Sequence, residues 1–373
     1  MKILHAGNMA NFAYLLVKKL RSDGIDSELL MNKNPHPSSD PTQYDPYLKE
    51  NKPNWIKYYD LSKKMWPLHI MLSMWKKYDL IHCYVELPIF AYFTNRKFIT
   101  TAQGSDLSRL AFSNTLKGFL LRRAYKKAKV IVCPTVGCFP LLSKLNLQNG
   151  VFIPSIIDLK KFSPNPKPSL NDRFTIFHPT SQIWNIKGND KLIYGFKKFI
   201  EKYPKSNLII VDHNIDSKKT KMLVQELDLE KFISFVKGPL NVDDLKKYYD
   251  VADVVADQFL ATDLGGIGRE VLSMKKPLLT SCWVSKYKEV FGSSPPIANA
   301  STSEEIAAQL ELLTDLNFRQ KIAEDGYIWI NKNFNPDIIS KKIQLLYQKI
   351  IDGEQIPNIQ KSLTNMGDMN NNE

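Results

Sequence analysis

The sequence predicts an α/β fold built from two consecutive doubly wound units, each a parallel sheet with helices on both faces. Three observations carry this expectation. Short, near-continuous apolar runs recur along the chain, separated by stretches of helical periodicity, as in strands buried on both sides. A Pro-rich break, "FSPNPKPSLNDR" (162–173), interrupts the alternation, which then restarts. The length of 373 residues leaves room for two domains of ordinary size.

In the first half the strands are predicted at 2–6, 27–31, 80–85, 98–102, 130–133 and 151–154, with helices such as 11–22, 116–127 and 136–145 between them. "MKILHAGN" reads as the first strand and not as a signal peptide, because it lacks a long apolar core and a small-residue cleavage site. The stretch 33–62 is Pro- and Tyr-rich and reads as an irregular insertion loop. In the second half, strands fit at 174–177, 208–211, 233–236, 253–256, 277–280 and 297–298. Helices fit at 187–203, 243–251, 268–275, 304–313 and 318–333. A last helix, 336–351, sets Ile338, Ile339, Ile343, Leu346, Tyr347 and Ile350 on the helical period. The polar tail ending "NMGDMNNNE" reads as disordered over 354–373.

Composition narrows the class. Hydrophobic residues at 43% and charged residues at 24% suit a globular chain, not a disordered one. No apolar run reaches the ~18 residues of a spanning helix. Cys83, Cys133, Cys138 and Cys282 show neither zinc nor redox spacing, so they read as buried free thiols of a cytoplasmic protein. The net charge of +13 is lopsided: residues 1–165 carry 24 Lys and Arg against 11 Asp and Glu, and the remainder carries 27 against 27. The first half is therefore expected to face something anionic. Its basic, apolar stretches at 65–77 and 116–129 read either as a peripheral contact with an anionic membrane or as a solvated basic face. No nucleic-acid partner is expected.

Ligands of doubly wound sheets lie at the carboxyl ends of the strands. No loop there is a GxGxxG or a GxxxxGK[ST], and "HAGNMAN" has one glycine, which argues against dinucleotide chemistry. "HPTSQIWNIKGND" (178–190) puts Lys187 where a strand hands over to a helix. A lysine at a helix start is slightly unfavourable unless an anion binds there, when lysine and free N–H groups converge on it. "DLGGIGRE" (263–270) places three glycines at the mouth of a helix, where backbone N–H groups can approach a phosphate. Glu270 reads either as a first-turn acid complementing the helix dipole or as a carboxylate accepting from ribose hydroxyls. His5 and His82 read as core histidines, and His178 is open between core and site. Asp106 is a helix N-cap or a contact for an acceptor hydroxyl.

The ordered set "IFHPTS…KGND", "PLNVDDLKKYYDVADVVADQF" and "LGGIGREVLSMKKPLL" resembles the C-terminal half of glycosyltransferase family 4, the retaining GT-B sugar transferases. "TTAQGSDL" is similar to that family's T-x-H-G-x-D segment, and "VFIPSIIDLKKFSP" to its I-P-N-G-[IV]-D-x-x-x-F-x-P segment. The resemblance spans nearly the whole chain apart from 33–75 and the tail. It implies a GT-B architecture, two Rossmann-like domains facing across a cleft: an acceptor-side domain of 1–167 with the helix 335–353, and a nucleotide-sugar domain of 168–334.

The resemblance also implies transfer of a sugar from a nucleoside-diphosphate sugar to a sugar or lipid-linked acceptor hydroxyl, with retention and with neither metal nor cofactor. Position by position, Lys187 matches the diphosphate-binding lysine and Glu270 the ribose-binding glutamate. Gly265, Gly266 and Ile267 match the loop around the donor phosphate, and Lys237 and Gly238 the strand end bordering the base. Gly7, His178, Ser181 and Asp263 complete the expected donor set, and Gln103 and Asp106 stand on the acceptor side. Three positions depart from the family pattern. Ser181, Gln182 and Trp184 occupy the stretch of an expected arginine, Thr262 replaces the first glutamate beside Asp263, and Gln103 replaces a histidine. These leave two other readings open, a nucleotide-sugar binder without turnover and a non-hydrolysing sugar-nucleotide epimerase.

Overall fold

A computed structural model of the chain describes residues 1–102, 104–165 and 173–360. It divides into two compact units, Met1–Ile157 together with the chain from Pro336, and Asp158–Asn335. The first boundary thus precedes the Pro-rich break at which the sequence places it.

The first unit is a seven-stranded parallel sheet in the order β3-β2-β1-β4-β5-β6-β7. Its strands are β1 (Lys2–Ala6), β2 (Asp26–Asn32), β3 (Ile56–Tyr59), β4 (Leu80–Tyr84), β5 (Phe98–Thr101), β6 (Ile131–Cys133) and β7 (Gly150–Phe152). The central strands are buried on both faces, which is why "LIHCY" and "IVC" show no polar alternation. β3 corrects the expectation of a structureless insertion at 33–62. It is a four-residue edge strand whose Lys57 is exposed, so it never forms the apolar run that marked the others. Two helices to which the sequence reading gave no bounds, Trp66–Trp75 and Pro88–Thr94, lie between the strands where helices are expected. Each carries its proline in the first turn, where a missing N–H costs nothing.

The last helix, Pro336–Ile351, belongs to this unit and buries Ile339, Ile343, Leu346, Tyr347 and Ile350. Ile338, expected on the same stripe, is not among its buried residues. Ser340 Oγ donates to Asp23, and the Tyr347 hydroxyl lies 2.6 Å from His82 Nδ1. His82 Nε2 meets Thr101 Oγ1 at 2.6 Å, and His5 Nδ1 meets the Tyr84 hydroxyl at 2.9 Å. Burial holds both imidazoles neutral, pushing His5 down to about 3, so they are core histidines as expected. The tail departs from expectation at its start: residues 356–360 are helical, Ile359 is buried, and Gln360 donates to the Gly150 carbonyl at 3.0 Å. One apolar side chain finding a pocket is enough to order a short polar segment. Residues 361–373 lie outside the described chain.

The second unit is a six-stranded parallel sheet in the order β10-β9-β8-β11-β12-β13. Its strands are β8 (Phe174–His178), β9 (Ser206–Asp212), β10 (Ile233–Lys237), β11 (Val254–Ala256), β12 (Leu278–Thr280) and β13 (Ala298–Asn299). The helix Asn189–Lys202 lays Leu192, Ile193, Phe196 and Phe199 on the core, and its register with the helical period explains the sequence pattern. The strand order reverses between β8 and β11, so the loops leaving their carboxyl ends lie side by side. Those are the loops that carry Lys187 and the glycine-rich helix mouth. All four cysteines are free and buried, in line with their apolar surroundings.

Candidate functional site

Lys187 does not start a helix. It ends a single turn, Trp184–Lys187, and Gly188 follows in the left-handed region (φ 67°, ψ 36°) before the helix Asn189–Lys202 begins. The predicted helix 187–203 therefore begins only at Asn189, after a joint in the left-handed region that glycine adopts without strain. The joint turns the Lys187 side chain onto the loop after β11. Its Nζ donates to Gln258 Oε1 at 2.7 Å, and its carbonyl accepts from the Phe259 N–H at 2.7 Å.

The loop itself is held by a buried polar pair. Gln258 passes its Nε2 to the Asp263 carbonyl at 3.1 Å, which positions the chain just ahead of the glycines. Asp257 accepts from Thr180 Oγ1 at 2.6 Å, linking the loops after β8 and β11. Burial raises the Asp257 carboxyl above its ordinary range, opposed by the Lys187 charge and the Thr180 hydroxyl. A Cβ at Gly265 would lie 3.3 Å from both Asp257 Oδ2 and Gln258 Nε2, whereas one at Gly266 would meet open space. The backbone here is thus close to the polar pair on one side and approachable on the other.

The helix Gly266–Ser273 opens with no side-chain cap. Its first-turn N–H groups are therefore available to an anion, and no acid stands in that turn to neutralise them. This revises the expected helix 268–275 and removes the dipole-complementing reading of Glu270, which sits a turn further in. There its Oε2 accepts from the Tyr249 hydroxyl at 3.1 Å. Burial pushes the Glu270 carboxyl up to about 7, against the Tyr249 hydrogen bond and the Arg269 charge. Arg269, buried alongside, donates Nε to the Gly265 carbonyl at 3.2 Å and so ties the first turn to its cap residue.

The other expected donor residues are placed as follows. Both ring nitrogens of His178 are engaged, Nδ1 with the Ala256 carbonyl at 2.8 Å and Nε2 with Asn189 Nδ2 at 2.9 Å. Burial lowers it to about 4, so a neutral ring donates from Nδ1, accepts at Nε2 and fastens β8 to β11. Ser181 Oγ lies 2.8 Å from His213 Nε2. Asp263 accepts from Thr262 Oγ1 at 3.2 Å. Ile267 is half-buried in the first turn of its helix. Lys237 is exposed at the end of β10, and the Gly238 N–H donates to the Asp212 carbonyl.

Gly7 and Asp106 belong to the first unit. Gly7 has φ 100°, and a Cβ would stand 3.0 Å from the Tyr84 carbonyl oxygen, so only glycine fits between β1 and β4. Asp106 is buried within the turn Ser105–Ser108, capped by Gly104, and accepts from the Tyr125 hydroxyl at 2.8 Å. The N-cap reading of Asp106 therefore falls. Gln103 lies outside the described residues.

The sequence reading did not assign Asp257, Gln258 or Tyr249. The first two stand directly after the apolar "VVA" of β11 at the switch point, which is the position that could have named them. No spacing connects Tyr249 to Glu270. Among the described residues no three His, Cys, Asp or Glu side chains group as a metal site, and no helix is long and apolar enough to cross a membrane.

No family model matches the chain, and no curated protein matches it by sequence. Solved structures do match its fold. Anabaena Alr3699/HepE in complex with UDP and glucose superposes with a TM-score of 0.74 at 13% identity, covering 94% of this chain and 100% of that one. A glycosyltransferase from Rickettsia africae gives 0.71 at 16% identity, over 95% and 99%. A protein provisionally described as a UDP-N-acetylglucosamine 2-epimerase, from Listeria monocytogenes, gives 0.62 at 12% identity, over 96% and 99%. The two doubly wound units of the expected GT-B architecture are thus the fold of this chain, and glycosyltransferases are among the proteins that share it.

Proposed function

We propose that the protein is a glycosyltransferase that moves a sugar from a nucleoside-diphosphate sugar to an acceptor hydroxyl with retention at the anomeric carbon. One observation carries the proposal: Lys187 Nζ is held by Gln258 on the loop that leads into an uncapped, glycine-lined helix mouth. A fixed ammonium and unpaired N–H groups on adjoining loops suit a diphosphate. That HepE is seen with UDP and with UDP-glucose supports the same donor class.

In this reading the bond between the anomeric carbon and the diphosphate breaks while the acceptor oxygen bonds to the same face of that carbon, and the acceptor's hydroxyl proton passes to the departing diphosphate oxygen. Negative charge grows on the departing diphosphate. Lys187 and the first-turn N–H groups of the helix Gly266–Ser273 stabilise it without rearrangement, which lowers the barrier. Glu270, as carboxylate, accepts from the ribose hydroxyls. Asp106 and Gln103 serve the acceptor. The reading assigns charge neutralisation to these groups, so chelator leaves the rate unchanged.

Thermal-shift measurements with UDP, GDP and ADP test the donor class, since a ligand that binds only the folded state raises the melting temperature. Product analysis with the stabilising donor then separates reactions. A glycosylated acceptor supports transfer. An isomerised sugar nucleotide formed without acceptor favours the epimerase, a reading the likeness to the Listeria protein keeps in play. Binding with neither product leaves a non-catalytic binder and overturns the proposal.

A further inference from the structure

The first unit carries an exposed apolar stripe that the sugar-transfer reading does not use. On the helix Trp66–Trp75 and the residue before it, Met65, Leu68, Leu72 and Trp75 follow spacings of three, four and three, and each is between 39% and 63% exposed. That periodicity places them on one face of the helix. The opposite face supplies Ile70 and Met74 to the core. His69 and Ser73 are the polar residues on its flank, so the helix keeps an apolar face turned to water, which signals a missing cover.

The stripe is not isolated. Trp75 Nε1 donates to the Thr94 carbonyl at 3.2 Å, tying this helix to Pro88–Thr94, where Phe93 is 51% exposed. Lys127 Nζ donates to the Tyr92 carbonyl at 3.2 Å, tying that helix in turn to Leu116–Lys127. Leu116 and Phe119 project from the latter at 74% and 49% exposure, and Arg123 and Lys126 continue the same face at helical spacing. The outer side of these three neighbouring helices thus combines apolar projections with cations.

The charges decide the occupant. Lys63 and Lys64 stand at one end of the first stripe and Lys76 and Lys77 at the other, all exposed, and none is in an ion pair among the described residues. None of the three helices contains an Asp or Glu, although Lys117 is paired with Glu86 from outside them. A second copy of this face would bring like charges together at both ends of the stripe, which is unfavourable. A planar anionic surface with an apolar interior accepts the side chains and the lysines at once.

We propose that this face, centred on Leu68, Leu72 and Trp75, docks the protein on the headgroup region of an anionic lipid bilayer. The aromatic Trp75 sits where such rings favour the interface. The proposal is independent of the sugar-transfer reading and stands or falls by its own measurement.

The test is co-sedimentation of the full chain with vesicles of phosphatidylcholine alone or mixed with phosphatidylglycerol, at low and high salt. The wild type binds the mixed vesicles at low salt and is released at high salt, where the screening length shortens to about 3 Å near 1 M. Replacing Lys76 and Lys77 with Ala lowers the partition coefficient about 25-fold, at about fivefold per lysine. The double substitution Leu68→Glu with Leu72→Glu lowers it by more than about tenfold through lost insertion. All four positions are exposed, so melting temperatures stay within about a degree or two of wild type. No binding to mixed vesicles at low salt overturns the proposal. So does equal binding to neutral vesicles, or undiminished binding by the Leu68/Leu72 variant. A concentration-dependent dimer in sedimentation equilibrium that the same variant abolishes also overturns it, by assigning the face to a second copy.

Discussion

Glu270→Gln is expected to make the protein more stable while weakening donor binding. Burial raises the Glu270 carboxyl from its ordinary 4.5 to about 7, so in the empty protein the ionised form is penalised by the fold. The sign follows from linkage. With the folded value above the unfolded one, this group's contribution is fully present below pH 4.5 and is lost as pH rises through about 7. At about 1.4 kcal/mol per unit, the cost relative to the protonated form is about 3 kcal/mol at pH 8 and about 1 kcal/mol at pH 5. Glutamine keeps an oxygen to accept from Tyr249 and never ionises, so it escapes that cost. Any hydrogen-bond deficit at its NH2 group, about 1 kcal/mol, is the same at every pH and leaves the slope unchanged.

The decisive quantity is therefore the slope. Denaturant melts of both proteins at pH 5 and 8 should show the variant gaining about 2 kcal/mol on wild type over that interval. Isothermal titration of the nucleotide sugar should show the converse. Its phosphodiester charges do not titrate here, so wild-type affinity rises about tenfold from pH 6 to pH 8 as Glu270 ionises, and the variant is weak and flat. Parallel stability curves would refute the buried-charge account. A variant that binds donor as tightly as wild type at pH 8 would refute the ribose role.

Three further outcomes are expected. Lys187→Ala should cut kcat by about 10²–10³ with little change in melting temperature, because it removes charge stabilisation that grows as the diphosphate leaves; wild-type steady-state rates would sink the phosphate role. Gln258→Ala should lower kcat by a smaller factor, about tenfold, by releasing Lys187 Nζ and the Asp263 carbonyl, and a rate equal to wild type would show that Lys187 needs no such support. Tyr347→Phe removes the hydroxyl 2.6 Å from His82 Nδ1 and should cost about 1–2 kcal/mol, seen as faster amide exchange in β1 and β4 while the strands of the second unit keep their protection.

The sequence by itself determined the two parallel sheets, because a strand covered on both faces writes that burial locally, as in "LIHCY", "IVC" and "VVA". It also singled out Lys187 and the glycine-rich helix mouth, since polar and glycine residues directly after such runs fall at the carboxyl edge of the sheet. It missed β3, whose edge position covers it only partly, and the turn at 356–360, whose order depends on one buried Ile359. The basic and apolar character of 65–77 and 116–129 was plain in the residues, but Phe93 and the helix that joins them into one face were not. Tertiary structure alone decided what each polar group does. It set Lys187 against Gln258, 71 positions on, moved Glu270 a turn inward under Tyr249, and closed both nitrogens of His178. The physical reason is one of range. Periodicity records which side of an element is covered, while the ionisation and hydrogen bonding of a side chain depend on the atoms within a few ångströms, and those arrive from distant parts of the chain.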